Sequence, residues 1–181
     1  MRRLLAFVGA LGVSTTAQVA ECRQPEDYKA NQQRILQCVE AAERVKTYET
    51  RRAATQQCIG QETRQCWDDT DGHRAIKEMH CADAEEAAWL AIMDQAFASL
   101  LDKYAKYDGQ NKDQSDFQPV LPAFRTAHDA WKQWATVDCE FARIHAGNGT
   151  DRIDAPVRCS RDRTAERALL YRRQLYGGPM W

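Results

Sequence analysis

Strand patterns are missing from this chain. No run alternates apolar and polar residues with the two-residue period of a half-buried strand. Glycine and proline, which punctuate turn-rich β folds, number only 9 and 5 in 181 residues. A surplus of charge of one sign is also missing. The 25 basic side chains stand against 26 acidic ones and form no Lys or Arg runs, which argues against a nucleic-acid partner. No Cys-x-x-C pair occurs, so thioredoxin chemistry, haem attachment and Cys₄ zinc lack their spacing. The neighbours His80 and Cys81 would point about 100° apart on a helix, and no second pair completes a tetrahedral set. Catalytic constellations are absent as well: no nucleophile elbow, no paired glutamates at metal-ligand spacing, and four scattered histidines, His73, His80, His128 and His145. The expectation is a non-enzyme without metal or cofactor. What is present, 44% apolar and 28% charged residues, suits one folded domain or a domain with an appendage rather than a disordered chain.

The first twenty residues read as an address. Arg2 and Arg3 form a positive n-region, Leu4 to Val13 an apolar h-region, and small residues follow at Ala17 and Ala20. Cleavage after Ala17 or after Ala20 is expected. An apolar run this short cannot span a hydrocarbon core about 30 Å thick, so no membrane insertion should remain after cleavage. Glu21 before Cys22 puts a bulky charge where a lipoprotein needs a small residue. Removing Arg2 and Arg3 leaves 23 basic against 26 acidic groups, a net charge of −3. The expected location is periplasmic or secreted.

Export makes disulfides the default for Cys22, Cys38, Cys58, Cys66, Cys81, Cys139 and Cys159. Seven is odd, so one thiol is left over.

Helical periodicity dominates the remainder and predicts an all-α fold of antiparallel hairpins. One stripe runs Val120, Phe124, Ala127, Trp131, Trp134, Asp138, Phe141 and His145 in alternating four- and three-residue steps, starting near Pro119 or Pro122. Its aromatic residues, Trp131 and Trp134 included, are expected in the core. A second stripe joins Leu90, Met93, Phe97, Leu100, Leu101, Tyr104 and Tyr107 and stops at Asp108-Gly109. A third helix is expected over 163–176. From Pro25 to about Cys66 a thinner stripe holds Tyr28, Ile35, Val39, Ala42 and Val45. Connecting loops are expected at 67–72, 109–116 and 146–158. Asn148-Gly149-Thr150 matches the N-glycosylation pattern, which matters only in a eukaryotic source.

From Cys66 to Cys159 a set of short motifs falls in order. It begins with Thr70, Glu78-Met79-His80-Cys81-Ala82, Glu85, Trp89 and Met93-Asp94-Gln95-Ala96-Phe97. It continues with Ala127-His128-Asp129-Ala130-Trp131, Asp138-Cys139, Gly147-Asn148-Gly149-Thr150, Cys159, Thr164 and Arg167. This set resembles the LprI-like lysozyme-inhibitor family of exported bacterial helical proteins. The family's Leu-Asn-x-x-Tyr signature is conservatively replaced at 93–97, and the Gln after Ala127 is missing. Gln37-Cys38-Val39-Glu40-Ala41-Ala42 and Cys58-Ile59-Gly60 resemble a cysteine-containing extension found in some members. The implied organisation is a signal peptide over 1–20, a helical N-terminal extension over 21–65 and the LprI-like domain over 66–177.

The resemblance implies a disulfide plan of Cys139 with Cys159, Cys66 with Cys81, and Cys38 with Cys58, leaving Cys22 as the odd thiol. The spacings agree with it. Closing the loop before Cys159 is worth about 3 kcal/mol on the chain-entropy model. Cys38 and Cys58 need a chain reversal near Thr47–Thr50, since unbroken helix would hold them about 30 Å apart.

Two functions are compatible with these features. In one, the resemblance implies an inhibitor that presents a disulfide-bounded loop to a lysozyme, with His145, Asn148, Asp151, Arg152 and Asp154 as candidate contacts. A cleft that works with two carboxylates would accept cationic and hydrogen-bonding groups. In the other, the helices form a structural or adaptor module of the cell envelope without inhibitory activity.

Exported material should therefore begin at Gln18 or Glu21 and carry three disulfides. Alkylation under denaturing conditions should find at most one reactive thiol; five or more would overturn the disulfide plan and revive a metal site.

Overall fold

Spacing between Cys81 and Leu100 makes the longest uninterrupted buried face among the described residues, and four of the other helices pack on it. The computed structural model describes residues 24–176. The signal segment, its cleavage positions and Cys22 lie outside the described residues. After a short 3₁₀ turn at Pro25–Asp27 come α1 (Gln32–Glu43), α2 (Tyr48–Gln56), α3 (Gln61–Asp69), α4 (Arg74–Asn111), α5 (Val120–His145) and α6 (Asp151–Leu175). Among the described residues every regular element is helical, and three disulfides staple neighbouring segments. The architecture is the all-α arrangement that the periodicity predicts.

The buried face of α4 carries Ala82, Glu85, Trp89, Ile92, Met93, Ala96 and Leu100, in helical steps. Against it pack Ile35 and Val39 of α1, Cys58, and Ala165, Ala168, Leu169 and Tyr171 of α6, all in one apolar cluster. The N-terminal helices thus share their core with the region from 66 onward. Of the stripe expected on α4, Met93 and Leu100 are buried, whereas Leu90 and Tyr107 are exposed. Asp108-Gly109 does not stop this helix. Gly109 adopts no positive φ and the helix runs on to Asn111. Asp108 instead accepts the N–H groups of Val120 and Leu121 at 2.9 Å each, capping the start of α5.

Two buried carboxylates fix the N-terminal helices. Glu85 accepts from the backbone N–H of Gly60 and of Thr63, and from the Thr63 hydroxyl, each at 2.7 Å, and from the Trp89 indole at 2.9 Å. An anion is thereby held at the amino end of α3, where unpaired N–H groups favour it. Gly60 enters that end with φ +81°, a conformation suited to glycine. Glu62 accepts from the Tyr28 hydroxyl at 3.0 Å, the Asn31 N–H at 2.7 Å and the Arg34 guanidinium. Burial, with the Glu62 hydrogen bond adding to it, pushes the Tyr28 hydroxyl up to about 12.

Cys38 and Cys58 meet because the chain reverses between α1 and α2. The Thr47 side chain caps α2 by accepting the Thr50 N–H, so the turn needs neither Gly nor Pro. The expected loop at 67–72 shrinks to the connection after Asp69. There Thr70 donates its hydroxyl to the Cys66 carbonyl at 2.7 Å, and Trp67 belongs to α3. Cys66 and Cys81 bridge this connection.

The expected stripe on α5 divides. Phe124 and Trp131 pack against the core cluster and His128 is buried. Trp134 and Phe141 are not core residues: they are 50% and 62% exposed. The physical reason is that Trp134 lies about 60° around the helix from Trp131, on the side that the bundle leaves uncovered. The third helix starts at Asp151, well before Arg163. Asp151 and Asp154 favour its first turn, and Pro156 is accommodated inside it.

One polar triad closes the α5–α6 contact. Arg167 donates to the Tyr171 hydroxyl at 2.9 Å, and that hydroxyl lies 2.8 Å from His128 Nδ1. Tyr171, accepting from Arg167, keeps its own proton available for Nδ1 of a neutral imidazole. Burial, with Lys132 and Arg167 nearby, holds the His128 pKa below its ordinary value.

Replacing Glu85 by Ala should destabilise the fold by about 3 kcal/mol or more, because several buried donors lose their acceptor together. Trp134→Ala should cost no more than about 1 kcal/mol. Denaturant titration of both variants measures the contrast, and equal losses would contradict it.

A histidine kept neutral by the fold opposes folding once the unfolded chain can take up its proton. Stability linked to His128 is therefore present above about pH 6.5 and is lost as the pH falls from there toward the depressed folded value. Melting temperatures of the wild type and His128→Gln should converge between about pH 7.5 and about pH 5. A constant gap would show that His128 does not titrate between the folded and unfolded states.

Candidate functional site

The α5–α6 hairpin narrows to a short turn because both flanking helices end in sequences that suit it. At the end of α5 the Ala146 N–H returns to the Ala142 carbonyl and the Gly147 N–H to the Ile144 carbonyl. Gly147 takes φ +71°, the left-handed stop that glycine allows at low cost. Arg152 and Ile153 then donate to the Gly149 and Thr150 carbonyls, opening α6. Ala146 and the Gly147-Asn148-Gly149-Thr150 motif make up the whole connection between the helices. Behind it, Cys139 and Cys159 close the hairpin with their Cα atoms 5.4 Å apart.

The expected contact residues fall into two groups. His145, Asn148, Asp151 and Arg152 are exposed at the hairpin end, with His145 ending α5 and its ring 5.7 Å from that of Phe141. Asp151 and Arg152 lie in the first turn of α6, so they do not belong to a loop over 146–158. Asp154 is buried and receives Arg158 at 3.0 Å. Its place is inside the hairpin, where it steadies the start of α6 instead of facing outward.

The apolar residues at this end are not core: the stripe on α5 predicts Phe141 there and singles out none of Val137, Ile144 and Ile153. Val137, Phe141, Ile144 and Ile153 are exposed, although their residue types and spacing read as core. For Val137, Phe141 and Ile144 the separating signal is their position one residue to the side of the Phe124–His128–Trp131 face. It becomes readable only when α6 is known to cover that face.

Ion pairs brace the hairpin below its end. Arg163 reaches Asp138 at 2.8 Å and Glu166 at 2.9 Å, and its guanidinium lies 5.1 Å from the centre of the Trp134 ring. Arg167 stands 5.2 Å from the Trp131 ring and donates to the Ala127 carbonyl. The Asp138 carboxylate and the sulfurs of Cys139 and Cys159 lie close enough for a shared ion. Those sulfurs are bonded to each other, however, so they offer no thiolates.

A groove of about 740 Å³ opens on the other side of α5, between α4 and α6. Leu90, Met93, Trp131 and Val157 line it together with Glu86 and Ser160. Ser160 donates to Glu86 at 2.6 Å, while burial pushes the Glu86 carboxyl above its ordinary range. Both features, a tethered polar tip with an apolar border and an amphipathic groove, are equipped to bind.

The family model described as Lysozyme inhibitor LprI matches residues 66–169. No curated protein and no solved structure matches the chain.

Proposed function

The chain belongs to the lysozyme inhibitor LprI family, and we propose that it is an exported inhibitor that binds a lysozyme or related muramidase through the end of its α5–α6 hairpin. The observation that carries this reading is a polar tip held by a covalent bridge. His145, Asn148, Asp151 and Arg152 stand exposed beyond Cys139–Cys159, bordered by Phe141, Ile144 and Ile153. Lysozyme-type hydrolases work with two carboxylates in a cleft. Arg152 supplies a cationic group for such a cleft, His145 and Asn148 supply hydrogen-bonding groups, and the apolar border supplies area that excludes water. The bridge reduces the ordering that binding would otherwise require.

Action by binding, without catalysis, fits a family described by inhibition. An extracytoplasmic location fits the three disulfides and the family. Among the described residues no helix is long and apolar enough to cross a membrane. The organisation proposed with this function is a cleaved signal peptide over 1–20, a helical extension over 21–65 and the inhibitor domain over 66–177.

Lysozyme turbidity assays on oxidised protein test the proposal. Replacing Asn148, Asp151 and Arg152 together by Ala should abolish inhibition, with each exposed change altering stability by less than about 0.5 kcal/mol. Replacing Cys139 and Cys159 by Ser should weaken inhibition more gradually. Full inhibition by the triple variant would move the contact to another face. Protein that is folded and oxidised yet inhibits no lysozyme leaves the structural or adaptor module of the envelope as the function.

A further inference from the structure

The outward side of α5 holds a second apolar face. Ala123, Ala127, Ala130, Trp134, Val137, Phe141 and Ile144 follow alternating four- and three-residue steps, and all are exposed. The four large members are between 50% and 69% exposed. Phe124, His128, Trp131 and Cys139, by contrast, turn toward the chain's own bundle. The exposed face has the repeat of a coiled-coil seam, and at 1.5 Å per residue it runs for about 30 Å.

We propose that this seam is a dimer interface, with α5 packing antiparallel against α5 of a second copy about a two-fold axis. The distribution of side-chain size selects that occupant. The first half of the seam is alanine and the second half is Trp, Val, Phe and Ile. Antiparallel pairing lays each small half on the large half of the other copy. Ala127 then faces Ile144 of the second copy, Ala130 faces Phe141, and Trp134 faces Val137. Parallel pairing would instead stack large on large at one end and leave a gap at the other. A two-fold axis makes the same patch serve both copies.

Charge agrees with a self-partner. Asp129 pairs with Lys132 at 2.8 Å, Glu140 with Arg143, and Asp138 with Arg163 at 2.8 Å. The charges flanking the large half of the seam, Asp138 and Glu140, are thus matched within the chain, and that rim favours no partner of one sign. A strongly basic protein would be better met by an acidic border. Antiparallel pairing also sends the two hairpin ends in opposite directions, leaving Asp151 and Arg152 of each outside the seam while Phe141 and Ile144 are buried in it.

Sedimentation of the mature, oxidised protein across a concentration series tests this without any lysozyme, so its outcome is separate from that of the inhibition assay. A reversible dimer is expected. Ala130→Phe and Phe141→Ala should each weaken it by about tenfold or more, and the two together should restore it, because the large and small partners exchange places. Circular dichroism should show unchanged helix content in each variant. A monomer at every concentration would overturn the proposal, as would a dimer indifferent to both single changes or a double variant weaker than either. Lysozyme protecting this seam in a protein that is monomeric alone would overturn it in favour of a hydrolase contact.

Discussion

A carboxylate buried away from water is tolerable only if its lone pairs are filled, and Glu85 meets that demand with donors from two helices. The consequence reaches beyond one residue. Thr63 and Gly60 can supply their N–H groups only if α3 starts where it does, beside the middle of α4. The Trp89 indole, one turn along α4, must then point into the core, where it becomes the largest fully buried side chain. Arg161 of α6 donates to the Thr63 hydroxyl at 3.0 Å, tying a third helix to the same point. Apolar burial alone would let these helices slide along one another. The buried polar network gives them a register.

Much of the family motif set is this frame. Thr70 closes the end of α3, Glu85 and Trp89 lock α3 to α4, Asp138 meets Arg163, and Arg167 reaches Tyr171. Cys139 and Cys159 pin the hairpin, and Gly147 to Thr150 turn it. A sequence pattern made of such residues identifies a fold efficiently, since each position answers a geometric need. It says less about binding, because the exposed groups at the hairpin end make few contacts that would restrict their identity.

Legibility followed the physics. Helical class and the existence of long helices were readable because their periodicity persists over many turns, which strands and loops do not imitate. Helix ends were harder. Asp108-Gly109 reads as a stop, yet the helix continues and Asp108 serves the next one from its side. Pro156 and the nearby glycines read as loop, yet α6 begins at Asp151. At Asp108 a tertiary contact outweighed the local signal, and at α6 the acidic first turn outweighed the proline and glycines. The candidate contact residues divide by exposure: His145, Asn148, Asp151 and Arg152 stand exposed at the hairpin end, whereas Asp154, one helical turn into α6, is buried. The exposed half of α5 could not be read at all, because a core stripe and a surface stripe have the same composition until the covering helix is placed.

The hairpin end shows why a disulfide suits this design. A surface built from His145, Asn148, Asp151 and Arg152 has little apolar area of its own to bury, so packing cannot order it. The nearest tightly packed layer, around Phe124, His128 and Tyr171, lies several turns down the helices. Cys139–Cys159 supplies order locally by restricting the unfolded and frayed states, independently of which residues sit beyond it. The end of the hairpin is thereby freed from the core's demand for apolar side chains. Its polar residues answer to solvent, while Glu85 and the helices around it answer to the fold.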